Sequence, residues 1–300
     1  MSDRRRILVV GGAAWNHIIH LDTDLPPPSA TQFARRSYEV PGGTGLGKAT
    51  CLSLFDLEVR FQLALGDDDY AERILSYLQA FPIELILNRS GAATERHTNL
   101  MLPGDKRLSV YTAPPPDCTA AELHATEAAM PGADIIMLSI LPYVRQILPA
   151  AQRSGAPLWI DLHNYDGTDP YHAPFIAAAN VLFLSGERLE DPKGYMERQI
   201  DGGKSLIIVT QGKRGAMCLT AARTWHYQEA IPVEPITDTN GAGDSFAAGF
   251  AHAYLKHAPI DDCLRAGALA SAATLQSRYP TNADFSAKHL ADAMRSHIYA

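Results

Sequence analysis

The sequence has few cysteines and no long apolar run. Only four of its 300 residues are cysteines, and they are scattered singly, without the pairing typical of a zinc site. This scatter indicates reduced thiols, so we expect a cytoplasmic protein without disulfide bonds. Nowhere do about 18 apolar residues follow one another without a charge, and no transmembrane helix is therefore expected.

The sequence also has fewer positively than negatively charged residues. The chain has 26 lysines and arginines against 33 aspartates and glutamates, which gives a formal net charge of −7 at pH 7. This balance disfavours broad electrostatic binding to nucleic acid or to an anionic membrane, so we expect a small-molecule partner. Hydrophobic residues make up 46% of the chain, as in ordinary globular proteins, and this excludes extended disorder.

Short apolar runs alternate with longer stretches in which apolar residues have helical spacing. Near-continuous apolar runs are typical of strands that are buried on both faces. The alternation predicts an α/β fold, doubly wound around a mostly parallel sheet, with ligands at the carboxyl ends of its strands. The predicted strands are residues 7–10, 135–138, 158–160, 181–184 and 206–209, and the predicted helices are residues 119–130, 142–153 and 187–200.

Two segments break this alternation. Residues from about 14 to 40, which include Pro26-Pro27-Pro28, and from about 96 to 113 contain stretches that alternate polar and apolar side chains. Such stretches are typical of strands with one face in solvent. We expect the two segments to form a small β lid inserted into a single domain of residues 1–300.

Residues 238–244, Asp-Thr-Asn-Gly-Ala-Gly-Asp, lead directly into a helix of small residues predicted to reach about residue 255. The amides of Gly241, Ala242 and Gly243 would lie at its N-terminus, where the helix dipole favours phosphate oxygens. Asp244 falls in the first turn, where it can take a proton from a hydroxyl group. The arrangement suits phosphoryl transfer, and the alternative is a simple capping aspartate.

The run Asp-Thr-x-Gly-Ala-Gly-Asp-x-Phe resembles the C-terminal motif of the ribokinase-like (PfkB) carbohydrate kinases. Further segments match that family in order along nearly the whole chain, namely residues 8–12, 41–45, 65–68 and 209–212. The resemblance implies a three-layer fold and Mg²⁺- and ATP-dependent phosphorylation of a hydroxyl on a sugar, nucleoside or related polyol. It also implies that Asp244 is the catalytic base, that Gly241, Ala242 and Gly243 hold the transferred phosphoryl group, and that the lid can pair across a homodimer.

The same resemblance assigns residues to the nucleotide and to metal ions. Asp238 and Asn240 match positions that help to bind a monovalent cation such as K⁺ in several members. Glu187 is the carboxylate nearest to an altered Mg²⁺ motif, although a helix dipole explains a glutamate there equally well. Lys213 is a phosphate or adenine neighbour or simply a solvated turn lysine. The expected nucleotide-binding residues are Ser185, Thr210, Gly212, Lys213 and Gly215.

The substrate side departs from the family. Asn16 stands where many members have an aspartate, Gly47 where an asparagine is common, and Ile140 where ribokinases have a glutamate. Asp161 follows a predicted strand, where both substrate contacts and loop caps occur. These departures motivate the alternative of a non-catalytic or weakly active ligand-binding member of the fold. The expected substrate-binding residues are Asn16, Gly42, Gly43, Gly47 and Asp161.

Residues 42–49, Gly-Gly-Thr-Gly-Leu-Gly-Lys-Ala, nearly match a P-loop. In that alternative Lys48 would bind phosphate, but Ala49 lacks the hydroxyl that a P-loop supplies to Mg²⁺. We interpret the segment instead as a glycine-rich turn where the sugar approaches the backbone, at the start of a helix that passes through residues 50–55.

Overall fold

The fold is known from a computed structural model that describes residues 4–25, 29–89 and 92–296. The Pro26-Pro27-Pro28 part of the expected lid lies outside these residues. The strands are β1 (Arg6–Val10), β2 (Ala14–His20), β3 (Arg36–Gly42), β4 (Glu58–Leu65), β5 (Ile83–Arg89), β6 (Arg96–Leu102), β7 (Lys106–Ala113), β8 (Ile135–Leu138), β9 (Leu158–Asp161), β10 (Val181–Ser185), β11 (Leu206–Thr210), β12 (Ala216–Thr220) and β13 (Trp225–Gln228).

The helices account for most of the remaining regular structure. No helix in the described ranges is long and apolar enough to cross a bilayer. The helices are α1 (Thr44–Ser53), α2 (Asp69–Leu78), α3 (Ala120–Ala128), α4 (Pro142–Arg153), α5 (Ala173–Ala178), α6 (Pro192–Asp201), α7 (Ala242–Leu255), α8 (Ile260–Leu275) and α9 (Ala287–Ser296).

A nine-stranded sheet in the order β13-β12-β11-β10-β9-β8-β1-β4-β5 forms the centre of the protein. The strands from β11 to β5 in this order run parallel, whereas at the other edge β12 is antiparallel to β11, and β13 is antiparallel to β12. The mostly parallel α/β sheet predicted from the sequence is thus confirmed. Because the chain leaves β1 towards β4 on one side and later returns to β8 on the other, the carboxyl end of β1 is a topological switch point.

Helices cover both faces of this sheet. Ile7 and Val9 of β1 point into a core shared with α1, α2, α7, α8 and α9. Leu8 and Val10 point into the opposite core, which contains side chains of α3, α4, α5 and α6. Burial on both faces explains why the central strands are apolar at nearly every position.

A separate four-stranded sheet in the order β3-β2-β6-β7 lies at the carboxyl edge of the main sheet. Its strands come from the two segments that the sequence predicts to form a lid. β2 begins at Ala14, four residues after β1 ends, so the lid is tied to the switch point. Ile18, Val40 and Met101 form a small buried cluster on one face of this sheet.

Two helix starts differ from the sequence prediction for local reasons. α6 begins at Pro192 and not near residue 187, because the Asp191 side chain caps it by accepting from the Gly194 amide at 3.0 Å. α1 already begins at Thr44, so the expected glycine-rich turn is mostly helical. A Cβ atom at Gly45 would lie 2.7 Å from Gly11 Cα, and the glycine therefore permits close packing of α1 on β1.

Candidate active site

The start of α7 is shaped by a glycine with left-handed backbone conformation. Gly241 precedes the helix with φ 81°, and a Cβ atom there would lie 2.3 Å from the Pro280 carbonyl oxygen. The first amides of a helix, here those of Ala242 and Gly243, have no partner within the helix. Since Gly243 is exposed, these amides are accessible to an anion.

A buried lysine joins the two aspartates expected at the site. Lys48 Nζ, from α1, lies 2.5 Å from Oδ1 of Asp244 in the first turn of α7. It also lies 2.8 Å from Oδ2 of Asp161, at the carboxyl end of β9. The Lys48 side chain is 6% exposed and each carboxylate 12%, so water screens this ion pair only weakly.

The three groups differ in their affinity for protons. Burial raises the pKa of Asp244; Lys48 lowers it and Asp161 raises it, and the net shift is upward. Burial also acts to raise the pKa of Asp161, but Lys48 and His163 outweigh it and hold that pKa at about 2. Burial alone would lower the pKa of Lys48, yet the two carboxylates raise it above its usual range. Asp161 is therefore a fixed counter-ion, and Asp244 is the better proton acceptor.

Glycines on the substrate side make room for polar side chains. A Cβ atom at Gly47 would lie 2.9 Å from Asp244 Oδ2, and one at Gly42 would lie 2.1 Å from Asn16 Nδ2. Asn16 is buried, and its Oδ1 has no hydrogen-bond partner among the described residues. A buried amide oxygen without a partner is well suited to accept a hydrogen bond from a bound hydroxyl group.

Glu95 and His97 also reach this region, although neither was assigned a role from the sequence. Glu95 is 3% exposed, and its Oε1 lies 2.7 Å from His97 Nε2. Its Oε2 would lie 2.9 Å from a Cβ atom at Gly12, directly after β1. The ring of Tyr111, on β7, lies 4.0 Å from the His97 ring. A single glutamate beside an alternating strand offers no sequence signal, since its proximity to β1 arises from tertiary structure.

The residues expected to bind nucleotide lie on the neighbouring strands of the same edge. Ser185 ends β10 and Thr210 ends β11, and the Gly186 amide donates to the Thr210 carbonyl at 2.8 Å. At Gly215 φ is 91°, and a Cβ atom would lie 1.9 Å from the Gln228 carbonyl oxygen. Between Thr210 and Gly215, a short exposed turn contains Gly212 and Lys213. Glu187 is exposed just beyond the end of β10.

The loop that precedes α7 is held by hydrogen bonds within the loop and from the lid. Asp238 Oδ1 accepts from the amide and side chain of Asn240 at 2.8 and 2.7 Å, and its Oδ2 accepts from the Tyr38 hydroxyl. The Thr237 carbonyl accepts from the Arg36 guanidinium at 2.6 Å. A bound cation needs several oxygens directed at one point, whereas these oxygens already have donors. In this arrangement, protein donors bond to the oxygens of Asp238 and Asn240, where the monovalent cation was expected.

Proteins of known activity are similar to this chain along most of its length. The model of the pfkB family carbohydrate kinases matches residues 172–286. The acarbose 7(IV)-phosphotransferase of Actinoplanes sp. is 30% identical over 279 residues, which are 91% of this chain and 92% of that protein. A nucleoside kinase of Methanothermobacter thermautotrophicus is 26% identical and covers 90% of each chain.

Solved structures show the same fold. The microbiome-derived acarbose kinase Mak1 superimposes with a TM-score of 0.77 at 25% identity, over 92% of this chain and 94% of that one. The nucleoside kinase of Burkholderia thailandensis in complex with inosine has a TM-score of 0.83 at 15% identity, over 98% of each chain.

The relatives are all phosphotransferases that act on an alcohol group, and this protein is an enzyme of that class. It belongs to the PfkB family of carbohydrate kinases, whose members use ATP, generally with Mg²⁺. The family resemblance inferred from residues 238–244 is thereby confirmed.

The hydrogen bonds around Asp238 predict that turnover does not require a monovalent cation. The initial rate in KCl should equal that in tetramethylammonium chloride at the same ionic strength, measured by ADP release. Arg36→Ala frees the Thr237 carbonyl, so this variant should be slower and should be stimulated by K⁺. A several-fold stimulation of the unmodified enzyme by K⁺ would contradict the interpretation.

Proposed function

We propose that Asp244 is the catalytic base and that Gly241, Ala242 and Gly243 form the anion hole for the transferred phosphoryl group. The observation that carries this proposal is a buried carboxylate of raised pKa beside accessible amides at one helix start. Asp244 accepts the proton of the acceptor hydroxyl, and the oxygen of that hydroxyl attacks the γ-phosphorus of ATP. The amides and the helix dipole stabilise the charge on the phosphoryl oxygens as ADP leaves.

The nucleotide is held, in this proposal, across the carboxyl ends of β10 and β11. Ser185, Thr210 and the turn around Lys213 line the edge beside Asp161. Glu187 is the carboxylate available to a hydrated Mg²⁺, because Mg²⁺ keeps several waters and binds mainly through phosphates. The ion, when bound, neutralises phosphate charge, and this role requires only one carboxylate acting through water.

The lid is proposed to exclude water from the transfer. Arg107 on β7 donates to Asn240 Oδ1 at 2.6 Å, and Tyr38 on β3 donates to Asp238, so both lid edges contact the loop that leads to the anion hole. A closed lid suppresses hydrolysis of ATP by water.

Replacing the base tests this mechanism directly. Asp244→Asn cannot accept the hydroxyl proton, so we expect kcat to fall by about 10²–10⁴-fold while ATP affinity is largely retained. Phosphorylation is measured by ADP release, and ATP affinity by isothermal titration calorimetry. The matched control is Asp292→Asn, an exposed aspartate on α9, which should leave both quantities unchanged.

Transfer by Asp244→Asn at the original rate would refute the role of Asp244. If the unmodified protein binds ligands but releases no ADP with any acceptor, a non-catalytic member of the fold becomes the correct description.

For the acceptor, we propose a carbohydrate larger than a free pentose, of the kind represented by acarbose. The relative with 30% identity over nearly the whole chain is an acarbose phosphotransferase. Ile140, whose side chain is apolar, stands at the carboxyl end of β8, and its carbonyl accepts from the Tyr171 hydroxyl at 2.8 Å. Tyr111 is 59% exposed beside His97 and offers an aromatic face on which a further sugar ring can stack.

The acceptor proposal predicts a ranking of substrates. With Mg²⁺ATP, kcat/KM should be higher for acarbose or a related oligosaccharide than for ribose or inosine. Tyr111→Ala should raise KM for the large acceptor several-fold, because it removes the stacking face, without changing KM for ATP. Tyr227→Ala, at an exposed tyrosine on β13, is the control. A preference for ribose or inosine would overturn the proposal.

We further propose that a second copy of the chain covers the outer face of the lid. Leu108 and Val110 on edge strand β7 are 42% and 45% exposed. Leu108 pairs across the sheet with Leu100, and Leu100 pairs with Ile19, so these apolar side chains share one face. The neighbouring residue Arg107 points to the active site. A twofold axis would bury this face against its own copy.

The proposed lid interface predicts that the protein sediments as a homodimer in sedimentation-velocity experiments at micromolar concentration. The double variant Leu108→Lys with Val110→Lys should sediment as a monomer, because charges would be buried at the interface. Tyr227→Lys on the far edge of the main sheet should remain dimeric. A monomeric unmodified protein would exclude this interface.

A further inference from the structure

Lys48 is buried in a position where only a charged partner can offset the cost of burial. Lys48 is 5% exposed and lies in α1, whose other residues are apolar or small. Burying an ammonium group is unfavourable unless it is paired with opposite charge. The Lys48 side chain is bonded to Asp161 and Asp244, and residues 44–53 form the helix α1 and not a loop that could surround a phosphate. The P-loop alternative therefore does not describe this segment.

The charged and titratable groups that face Asp244 come from two elements besides its own. Lys48 and Cys51 lie on α1, while Asp161 and His163 lie at and just after the end of β9. Burial raises the pKa of Cys51 to about 12, so its thiol is neutral. His163 Nδ1 lies 3.6 Å from Asp161 Oδ1 and has a 32% exposed side chain. Lys48 is thus the buried permanent cation between two carboxylates.

The two oxygens of Asp244 have different surroundings. Oδ1 accepts from Lys48, which fixes the orientation of the carboxylate. Oδ2 lies beside Gly47, where a side chain would come within 2.9 Å of it. Glycine at residue 47 therefore lets the Asp244 carboxylate pack closely against α1, and among the described residues only its Oδ1 accepts a hydrogen bond.

We propose that Lys48 is a positioning residue that keeps Asp244 in the carboxylate form and directs its Oδ2 towards the acceptor hydroxyl. The inference rests on the proposed role of Asp244 as the base. During transfer the hydroxyl O–H bond breaks and its proton goes to Oδ2, while the new O–P bond forms and the bond from phosphorus to the leaving oxygen of ADP breaks. Lys48 keeps its own protons throughout, and Asp161 remains its second counter-ion.

The sign of the effect on the pKa of Asp244 is opposite for the two partners. Lys48 lowers this pKa, so removing the ammonium raises it and leaves two buried carboxylates to share one proton. Asp161 raises it, so neutralising Asp161 lowers it. A base must be deprotonated to act, and the acid limb of the kcat/KM profile follows its pKa.

The experiment is a pH profile of kcat/KM, measured with the best acceptor among acarbose, ribose and inosine. Lys48→Met should move the acid limb to higher pH by about 1–3 units, with activity recovering at alkaline pH. Asp161→Asn should move the limb to lower pH, and the double variant should restore an intermediate position. The control is Lys204→Met, because Lys204 is also buried but, among the described residues, bonds to the carbonyls of Ala177 and Ala179 and to no carboxylate.

A uniform loss of activity in Lys48→Met, with the acid limb unmoved, would show a merely structural role and overturn the proposal. Lys48→Gln, which keeps a donor but not the charge, gives the same readout if the methionine variant does not fold. The Asp244 carboxyl is also titrated by NMR of protein labelled with ¹³C-aspartate, with Asp244→Asn used to assign its signal. This titration separates the two proposals: an active Asp244→Asn refutes the base, whereas an unmoved Asp244 titration in the Lys48 variants refutes the role of Lys48.

Discussion

Lys48 connects elements that are far apart in the chain, since its partners Asp161 and Asp244 lie 113 and 196 residues away. The contact fixes α1, the end of β9 and the start of α7 relative to one another at the switch point of the sheet. Two carboxylates this close would repel each other strongly in a buried site, and the ammonium between them makes the arrangement stable. The remaining features of the active site are built around this ion pair.

Small residues allow the polar groups to come together. Gly47 leaves space for the Asp244 side chain, Gly42 leaves space for Asn16, and Gly241 lets the loop before α7 pack against the Pro280 carbonyl. On the other side of the loop, Arg36 and Tyr38 reach it from the lid. Protein donors bond to these loop oxygens, so the order of the loop before α7 is coupled to the position of the lid.

Function in this fold depends on sites placed at the edge of a common sheet. Residues 238–244 match the family motif, whereas the family resemblance implies that Asn16, Gly47 and Ile140 stand where many members have other polar residues on the substrate side. The structure places Glu95, His97 and Tyr111 in the same region. In the acceptor site that we propose, these lid residues act together with Asn16, which itself lies on the lid strand β2.

The sequence by itself determined the doubly wound sheet and the start of α7, because strands buried on both faces are apolar at successive positions and because a glycine-rich helix start is a local motif. It also indicated the lid through alternation. The sequence did not indicate that α1 begins as early as Thr44, where Gly45 packs on Gly11. Only the tertiary structure decided that Lys48 pairs with Asp161 and Asp244, that Glu95 reaches the end of β1, and that Arg36 bonds to the Thr237 carbonyl. Each of these contacts joins residues distant in the chain, and no local pattern of side chains encodes such a distance.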